Sequence, residues 1–444
     1  MVDSRYVYDP LYGHTQYPAY LWKVMESPEL QRLREVRLCN INSLCLTGAG
    51  SVNRYEHALG TAYLAARCLD EWQHKPDQKT RRRILLAALL HDVGSAAFGH
   101  SVQYVLGRDG YEHESLYDLI QPSEASTLTT YRYQHTRVEP IYFGMPRRLT
   151  DLISSEDLLS ISDMISGRGP FGPLISGTVD LDNLDNVYRL AYHMGLVRSG
   201  QSALDLARSM WVEDGHLVVK NSARVLLAEW QRVRQRLYRY LLLNPEEFSA
   251  KCMLQDAMER ARDRSTELFF WHDVDFQLLE KLSRSSPEVA AIVSRLVIGD
   301  LYGCLGIYST SRIRASRMLG SVPSRRDLEN DIAKRIRRLG ERHGLDSLEH
   351  ALVAFHVIRD VNKTSRLVKV RTEEGRQLRI GKASRRVLIG VFFKNVHLSM
   401  TRIRRDPLDR WGVRKLVLRR LRSKLRDPDI AEMVLYGEAK SEQC

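Results

Sequence analysis

Apolar residues recur three and four positions apart through segments 58–72, 81–91, 184–194 and 223–243. That spacing lines one face of an α-helix, so the chain from about residue 20 to 300 is predicted to be mostly helical. Gly94 follows the 81–92 helix and Gly195 the 184–194 helix, both where a left-handed capping residue falls. Asn53, residues 107–110 and the run 167–177, whose glycines and two prolines break regular elements, read as loops. Beyond about residue 300 the pattern changes: Arg and Lys crowd 312–342, and 366–394 reads as strands around a Glu374-Gly375 turn. A boundary near 320 divides a helical unit, 1–320, from a basic α+β lobe, 321–444, suited to an oligomeric or regulatory role. The expected fold class is mainly α, a helical core with a smaller α+β C-terminal lobe.

Composition narrows the class. At 444 residues the chain exceeds one ordinary core, and 43% hydrophobic with 27% charged residues is a globular balance. The longest apolar stretches, 84–90 and 387–393, fall far short of the roughly 18 to 20 residues of a membrane span, so no membrane partner is expected. The first residues lack the basic, apolar and cleavage segments of a secretory signal, which predicts a cytoplasmic protein. Six cysteines without a CxxC pair read as reduced packing residues, and no internal repeat is present. The net charge of +13 attracts polyanions: nucleic acid, an acidic surface or a small phosphorylated ligand. Residues 402–426 mix eleven basic positions with Ile, Leu, Val and Trp411. An amphipathic helix there presents either a solvated face or a docking face for nucleotide, nucleic acid or a neighbouring subunit.

Candidate chemistry sits at helix ends. Asn53-Arg54-Tyr55-Glu56-His57 opens one helix, and His91-Asp92 closes another after the apolar run. Alone, a His-Asp pair at a helix terminus suits the helix dipole, and Asp180, Asp182 and Asp185 at the start of the next helix suit capping. Together they bring two imidazoles and two carboxylates from three segments, a mixed nitrogen and oxygen set for Mn, Fe, Mg, Ni or Zn. Such an ion lowers the pKa of water and polarises phosphorus, which points to phosphoester hydrolysis. His100, and His113 beside Glu114, are candidates to give protons or hydrogen bonds to a leaving oxygen.

The ordered set His57, His91-Asp92, Asp182 resembles the H…HD…D signature of the HD-domain metal-dependent phosphohydrolases. Flanking text narrows the likeness: Asp9-Pro10, Gly13-His14, Gln31-Arg32-Leu33-Arg34, Asn53 to His57, Gly94, Phe98, His100, His113-Glu114 and Asp180-Leu181-Asp182. Over residues 6–260 the chain looks like the deoxynucleoside triphosphate triphosphohydrolase (dGTPase-like) branch. The resemblance implies an HD-domain helical core, a divalent metal held by His57, His91, Asp92 and Asp182, and a catalytic group of His100, His113 and Glu114. It also implies that Arg54 and Arg234 contact substrate phosphates, and that the protein is a homo-oligomer with a nucleotide activator, Gln31 and Arg34 lying at the regulatory contact. Nucleotide-pool control, antiviral defence (against phage or virus) and tailoring of a metabolite stay open as its biological role. Departures are Ser95 and Gln103 for a histidine and an acidic residue, Asn183, Asn186 and Leu190 for a lysine, a tyrosine and an aspartate of the nucleotide clamp, and Leu242 and Cys39 at the sugar.

The expected function is metal-dependent conversion of a dNTP to deoxynucleoside and triphosphate. Its alternatives are a phosphohydrolase of another, modified nucleotide releasing mono- or diphosphate, and a basic nucleic-acid-binding protein or nuclease whose phosphate contacts need only clustered Lys and Arg. A scaffolding protein with a vestigial metal site is a further class.

Overall fold

The computed structural model describes residues 4–39, 46–99, 101–102, 112–120, 148–262, 271–361, 363–394 and 412–433. An antiparallel hairpin, β1 (Ser4–Asp9) and β2 (Gly13–Pro18), precedes the helices. The helical body holds α1 (Arg54–Asp70), α2 (Gln78–Leu90), α3 (Ser155–Ile165) and α4 (Leu181–His193). A second hairpin, β3 (Met210–Glu213) and β4 (His216–Val219), leads into α5 (Ala223–Leu243). Side chains start the site-bearing helices: Asn53 accepts from the Glu56 amide at 2.9 Å, Asp77 from Thr80 at 2.9 Å, and Asp180 from Asn183 at 2.6 Å. Residues 84–90 of α2 are buried on every side, the signature of a helix at the centre of a bundle.

The rest of the chain wraps a sheet. Helices α6 (Pro245–Arg262) and α7 (Pro287–Ile298) lead to β5 (Gly303–Thr310), followed by α8 (Val322–His343) and β6 (Val353–Val361). The hairpin β7 (Val368–Thr372) and β8 (Gln377–Ile380), then β9 (Arg385–Phe393), α9 (Val413–Leu425) and β10 (Ala431–Glu432) complete it. An antiparallel sheet runs in the order β10-β5-β9-β6. Leu388 and Phe392 of β9 join one core with Met253 and Ala257 of α6, whereas Ile389, Val391 and Phe393 join another with α8 and α9. Both faces are covered, which is why 387–393 reads as a continuous apolar run instead of an alternating one.

Pairing departs from the expected division. β5 precedes residue 320, yet it pairs with β9 from Gly303↔Phe393 to Thr310↔Val387. In the other direction β7 joins β4 in parallel, so the order β3-β4-β7-β8 ties the later chain to the helical body. A cut at 320 therefore passes through a hydrogen-bonded sheet: sheet pairing is non-local, and a composition change marks only where charge becomes dense. The Glu374-Gly375 turn holds, with Gly375 at φ 75 between β7 and β8. The 402–426 stretch contains α9, which buries Val413, Val417, Leu421 and Leu425 on one face; residues 402–411 lie outside the described residues. The 167–177 run holds a short helix, Gly172–Ile175, which the expected loop did not include. Cys39, Cys68, Cys252 and Cys304 are buried thiols, and no helix among the described residues is long and apolar enough to cross a membrane.

A chain ending at residue 320 keeps β5 but loses both β9 and β6, baring the apolar faces they cover. It should bind a hydrophobic dye and lose cooperative unfolding; a soluble fragment with a sharp denaturation transition would show that 1–320 is an independent unit.

Candidate metal centre

His57 lies in the first turn of α1, His91 caps α2, Asp92 follows it, and Asp182 stands in the first turn of α4. The Nε2 atoms of His57 and His91 are 3.0 Å apart. Asp182 Oδ1 is 3.0 Å from the first and 3.6 Å from the second; Asp92 Oδ2 is 3.8 and 3.7 Å from them. Around one point, then, the structure gathers all four residues that the sequence motif singles out.

Neighbours fix the proton positions. His57 Nδ1 donates to Asp185 Oδ2 at 2.7 Å, and His91 Nδ1 donates to the Ala88 carbonyl at 2.9 Å. Both acceptors lack a proton, so each imidazole in its neutral form turns an Nε2 lone pair inward, where a proton or a metal ion can take it. Two lone pairs 3.0 Å apart beside carboxylates repel unless positive charge sits among them. Asp92 points the same way: Oδ1 accepts from Arg54 Nη1 at 2.6 Å and from Ser95 Oγ at 2.9 Å, whereas buried Oδ2 accepts from no donor. His57, His91 and Asp92 form a group suited to hold a divalent metal ion, and Asp182, with a third of its side chain exposed, stands at its open side. Electrostatics agree. Burial alone would lower His57, but the Asp182 and Asp185 carboxylates push it up to about 10, a field that welcomes a cation as it welcomes a proton. Asp92 stays well below the usual carboxylate range despite burial, held there by Arg54 and the two imidazoles.

Behind the ligands lies a buried charge network. Arg189, fully buried, donates to Asp185 at 2.8 and 3.0 Å, to Asp9 Oδ2 at 2.9 Å and to Glu56 at 2.5 Å. Gly60 makes room for it: a Cβ there would come within 2.1 Å of Asp185 and Arg189. Arg32, also buried, donates to the carbonyls of Val93 at 2.5 Å and Ser95 at 2.8 Å, fixing the turn that carries Asp92. Gly94 in that turn is not left-handed, as the sequence pattern suggested, unlike Gly195 at φ 69. It is needed for close approach, since a Cβ would lie 2.1 Å from the His113 carbonyl.

The other expected site residues take varied positions. Arg54 is buried against Asp92, where it orients that carboxylate. His113 lies close enough to feel the charges of Asp92 and Asp182, and burial holds it below the ordinary imidazole range, hence neutral at pH 7. Its Nε2 is 3.9 Å from Glu114, which is half exposed. Arg234 is buried on α5, donates to the Lys363 carbonyl and lies 4.5 Å over the Tyr238 ring. His100 and Gln103 lie outside the described residues. Asn183 turns back onto Asp180 at 2.9 and 3.0 Å, and Gln31 accepts from Arg34 at 3.3 Å. Sequence reasoning took Asp185 as a ligand or cap candidate and missed its hold on His57. The available signal was the spacing 182, 185, 189 along one helix face, which lines up ligand, orienting carboxylate and its arginine.

Residues 54–126 match the family model described as HD domain. The chain contains an HD domain. His57, His91 and Asp92 fall inside the matched segment, and Asp182 reaches the HD centre from a later helix. Among similar proteins, the uncharacterized protein YwfO of Bacillus subtilis is 26% identical over 250 residues, 56% of this chain and 53% of that protein. The deoxynucleoside triphosphate triphosphohydrolase SAMHD1 of Bos taurus is 35% identical over 101 residues, 22% of this chain and 17% of that protein. The chain thus spans about half the length, or less, of these curated relatives. A solved phosphohydrolase from Bacteroides thetaiotaomicron shares the fold, with a TM-score of 0.57 at 15% identity over 87% of this chain and 99% of that one.

Asp185→Asn removes the charge that holds the Nδ1 proton of His57 and balances Arg189. Metal affinity should fall by about 10- to 100-fold with helicity retained. A metal titration indistinguishable from the unaltered protein would overturn the orienting role of Asp185.

Proposed function

We propose that this protein hydrolyses nucleotides at the HD centre, most specifically a dNTP to deoxynucleoside and triphosphate. The observation that carries this reading is the convergence of two inward lone pairs and two carboxylates on one point, open on the Asp182 side. Its likeness over about a fifth of the chain to a deoxynucleoside triphosphate triphosphohydrolase supports the substrate class.

His57, His91, Asp92 and Asp182 would hold a divalent ion, which would supply positive charge to polarise a phosphoryl oxygen and acidify water. The chain supplies the rest. Asp185 and the Ala88 carbonyl hold the two imidazoles in the tautomer that binds a cation. Arg54 and Ser95 hold Asp92, and the family likeness supports Arg54 as a contact for a substrate phosphate there. His113, neutral at pH 7, has one N–H and one lone pair for hydrogen bonding or proton transfer at the leaving oxygen, with Glu114 to orient it and His100 in the same group. Arg234 is the remaining substrate-binding candidate, acting through the segment it grips. The family likeness also supports a homo-oligomer with a nucleotide activator.

One observation favours a second reading. Asn183 is engaged with Asp180, and α4 bears no Lys or Arg in its first two turns. A nucleotide held differently, releasing mono- or diphosphate, fits that arrangement.

Metal-loaded protein incubated with the four dNTPs and four NTPs, singly and mixed, should yield deoxynucleoside and intact triphosphate on anion-exchange chromatography. Mono- or diphosphate products would select the second reading, and no turnover of any nucleotide would overturn both. The double variant His91→Ala, Asp92→Ala should lose its metal and fall to background turnover while keeping its helical circular dichroism; full activity would remove the centre from the reaction.

A further inference from the structure

We propose that the solvent face of α9 is a docking surface for the phosphate backbone of duplex nucleic acid, a second function carried apart from the HD centre. It stands independently of the hydrolase reading.

The sequence of α9 (Val413–Leu425) holds six Lys and Arg among its 13 residues and no Asp or Glu. Val413, Val417, Leu421 and Leu425, spaced four apart, are buried in one core with Ile332 and Ile336 of α8 and Ile389 of β9. On the opposite side Lys415, Arg419, Arg422 and the capping residue Arg426 follow one another at steps of four, three and four, and all are exposed. Because its apolar face is buried in the protein, α9 has no face left to insert into a bilayer, as a membrane-surface helix would need. Compensation of the helix dipole accounts for cations at the C-terminal end only. Arg414 and Lys415 stand in the first turn, where the dipole favours acids and none is present.

Neighbouring acids are matched to other cations. Asp331 of α8 accepts from Arg420 at 3.0 Å and from Arg335 at 3.3 Å, Glu432 lies 3.7 Å from Arg414, and buried Asp427 lies 3.2 Å from Arg312. Among the described residues, Lys415, Arg419, Arg422 and Arg426 make no ion pair. Arg422 Nε donates to the Ile430 carbonyl at 3.0 Å, which anchors that guanidinium at the surface. The contact of Arg420 with Asp331 also brings α8 alongside: from Asp331 the same side of α8 continues through Arg335, Arg338 and Arg342, all exposed. Arg338 and Arg342 likewise make no ion pair among the described residues.

The shape of this surface selects its partner. Lys415 to Arg426 spans about 16 Å at roughly 1.5 Å per residue, a straight and convex row. A convex row cannot enclose a small ligand, which needs a concave site. A duplex presents about ten phosphate charges over the same length, so several contacts form together and release condensed counterions. Exposed ammonium and guanidinium groups of one sign are the side chains that make such contacts. The surface also lies apart from the catalytic candidates, since α9 packs with α8 and the sheet, whereas α1, α2 and α4 pack in a different core.

The test uses the intact chain and a short fluorescein-labelled DNA duplex, with binding followed by fluorescence anisotropy over a series of salt concentrations. Binding should weaken steeply with salt, and the double variant Lys415→Gln, Arg419→Gln should lower the slope of log affinity against log salt by about two. Affinity at moderate salt should fall about tenfold or more, with metal content and circular dichroism unchanged. A control with two exposed lysines removed elsewhere, Lys75→Gln and Lys220→Gln, should keep its affinity within about twofold. Equal weakening in both double variants would overturn the surface, by tracing binding to net charge alone. So would an absence of duplex binding at low salt. Equal affinity for polyglutamate of matched charge would overturn the nucleic-acid assignment in favour of an acidic polypeptide.

Discussion

Asp185 shares its carboxylate between the His57 imidazole and the Arg189 guanidinium, deep in the helical body. A buried carboxylate is stable only when its charge is matched and its lone pairs are filled. Asp185 meets both conditions and in doing so fixes which nitrogen of His57 faces the centre. Asp9, Glu56, Asp92 and Asp185 pair with the guanidiniums of Arg54 and Arg189 and Asp182 with the imidazoles, so five carboxylates stand against two guanidiniums, a formal excess of three negative charges. The imidazoles and a divalent ion are the groups available to balance it. Stability and the proposed chemistry share one cause here, since the field that needs a cation is the field on which the proposed hydrolysis rests.

This arrangement demands close packing. α4 reaches His57 because α1 is glycine at position 60, where any side chain would occupy the space of Asp185 and Arg189. The turn after α2 approaches the His113 segment because position 94 is glycine, and Arg32 donates to the Val93 and Ser95 carbonyls of the same turn. Asp9 links the N-terminal hairpin to Arg189, so an element far from the ligands in sequence belongs to their support.

The later chain is a second support. Its sheet is covered on both faces, and the β7-β8 hairpin leaves that sheet to pair with β4 of the helical body. In passing between the two, residues 363–366 lie along α5, where Arg234 and Gln231 donate to the carbonyls of Lys363 and Arg366.

Much of this was legible in the sequence where the signal is local. The 3.6-residue period predicts the helices that carry the ligands, the capping residues Asn53 and Asp180 mark where they begin, and the ordered His57, His91-Asp92, Asp182 motif names the groups that meet. The four-residue spacing on α9 and the Glu374-Gly375 turn are equally local. Tertiary structure decided what depends on residues distant in the chain. Strand β5 joins β9 across some eighty residues, which erases the boundary at 320; Gly94 serves an approach by His113 rather than a left-handed turn; and Arg54 meets Asp92. Periodicity and caps report the interactions of a residue with its neighbours along a helix, whereas sheet partners, buried counter-charges and space for a side chain are set by which surfaces meet after folding.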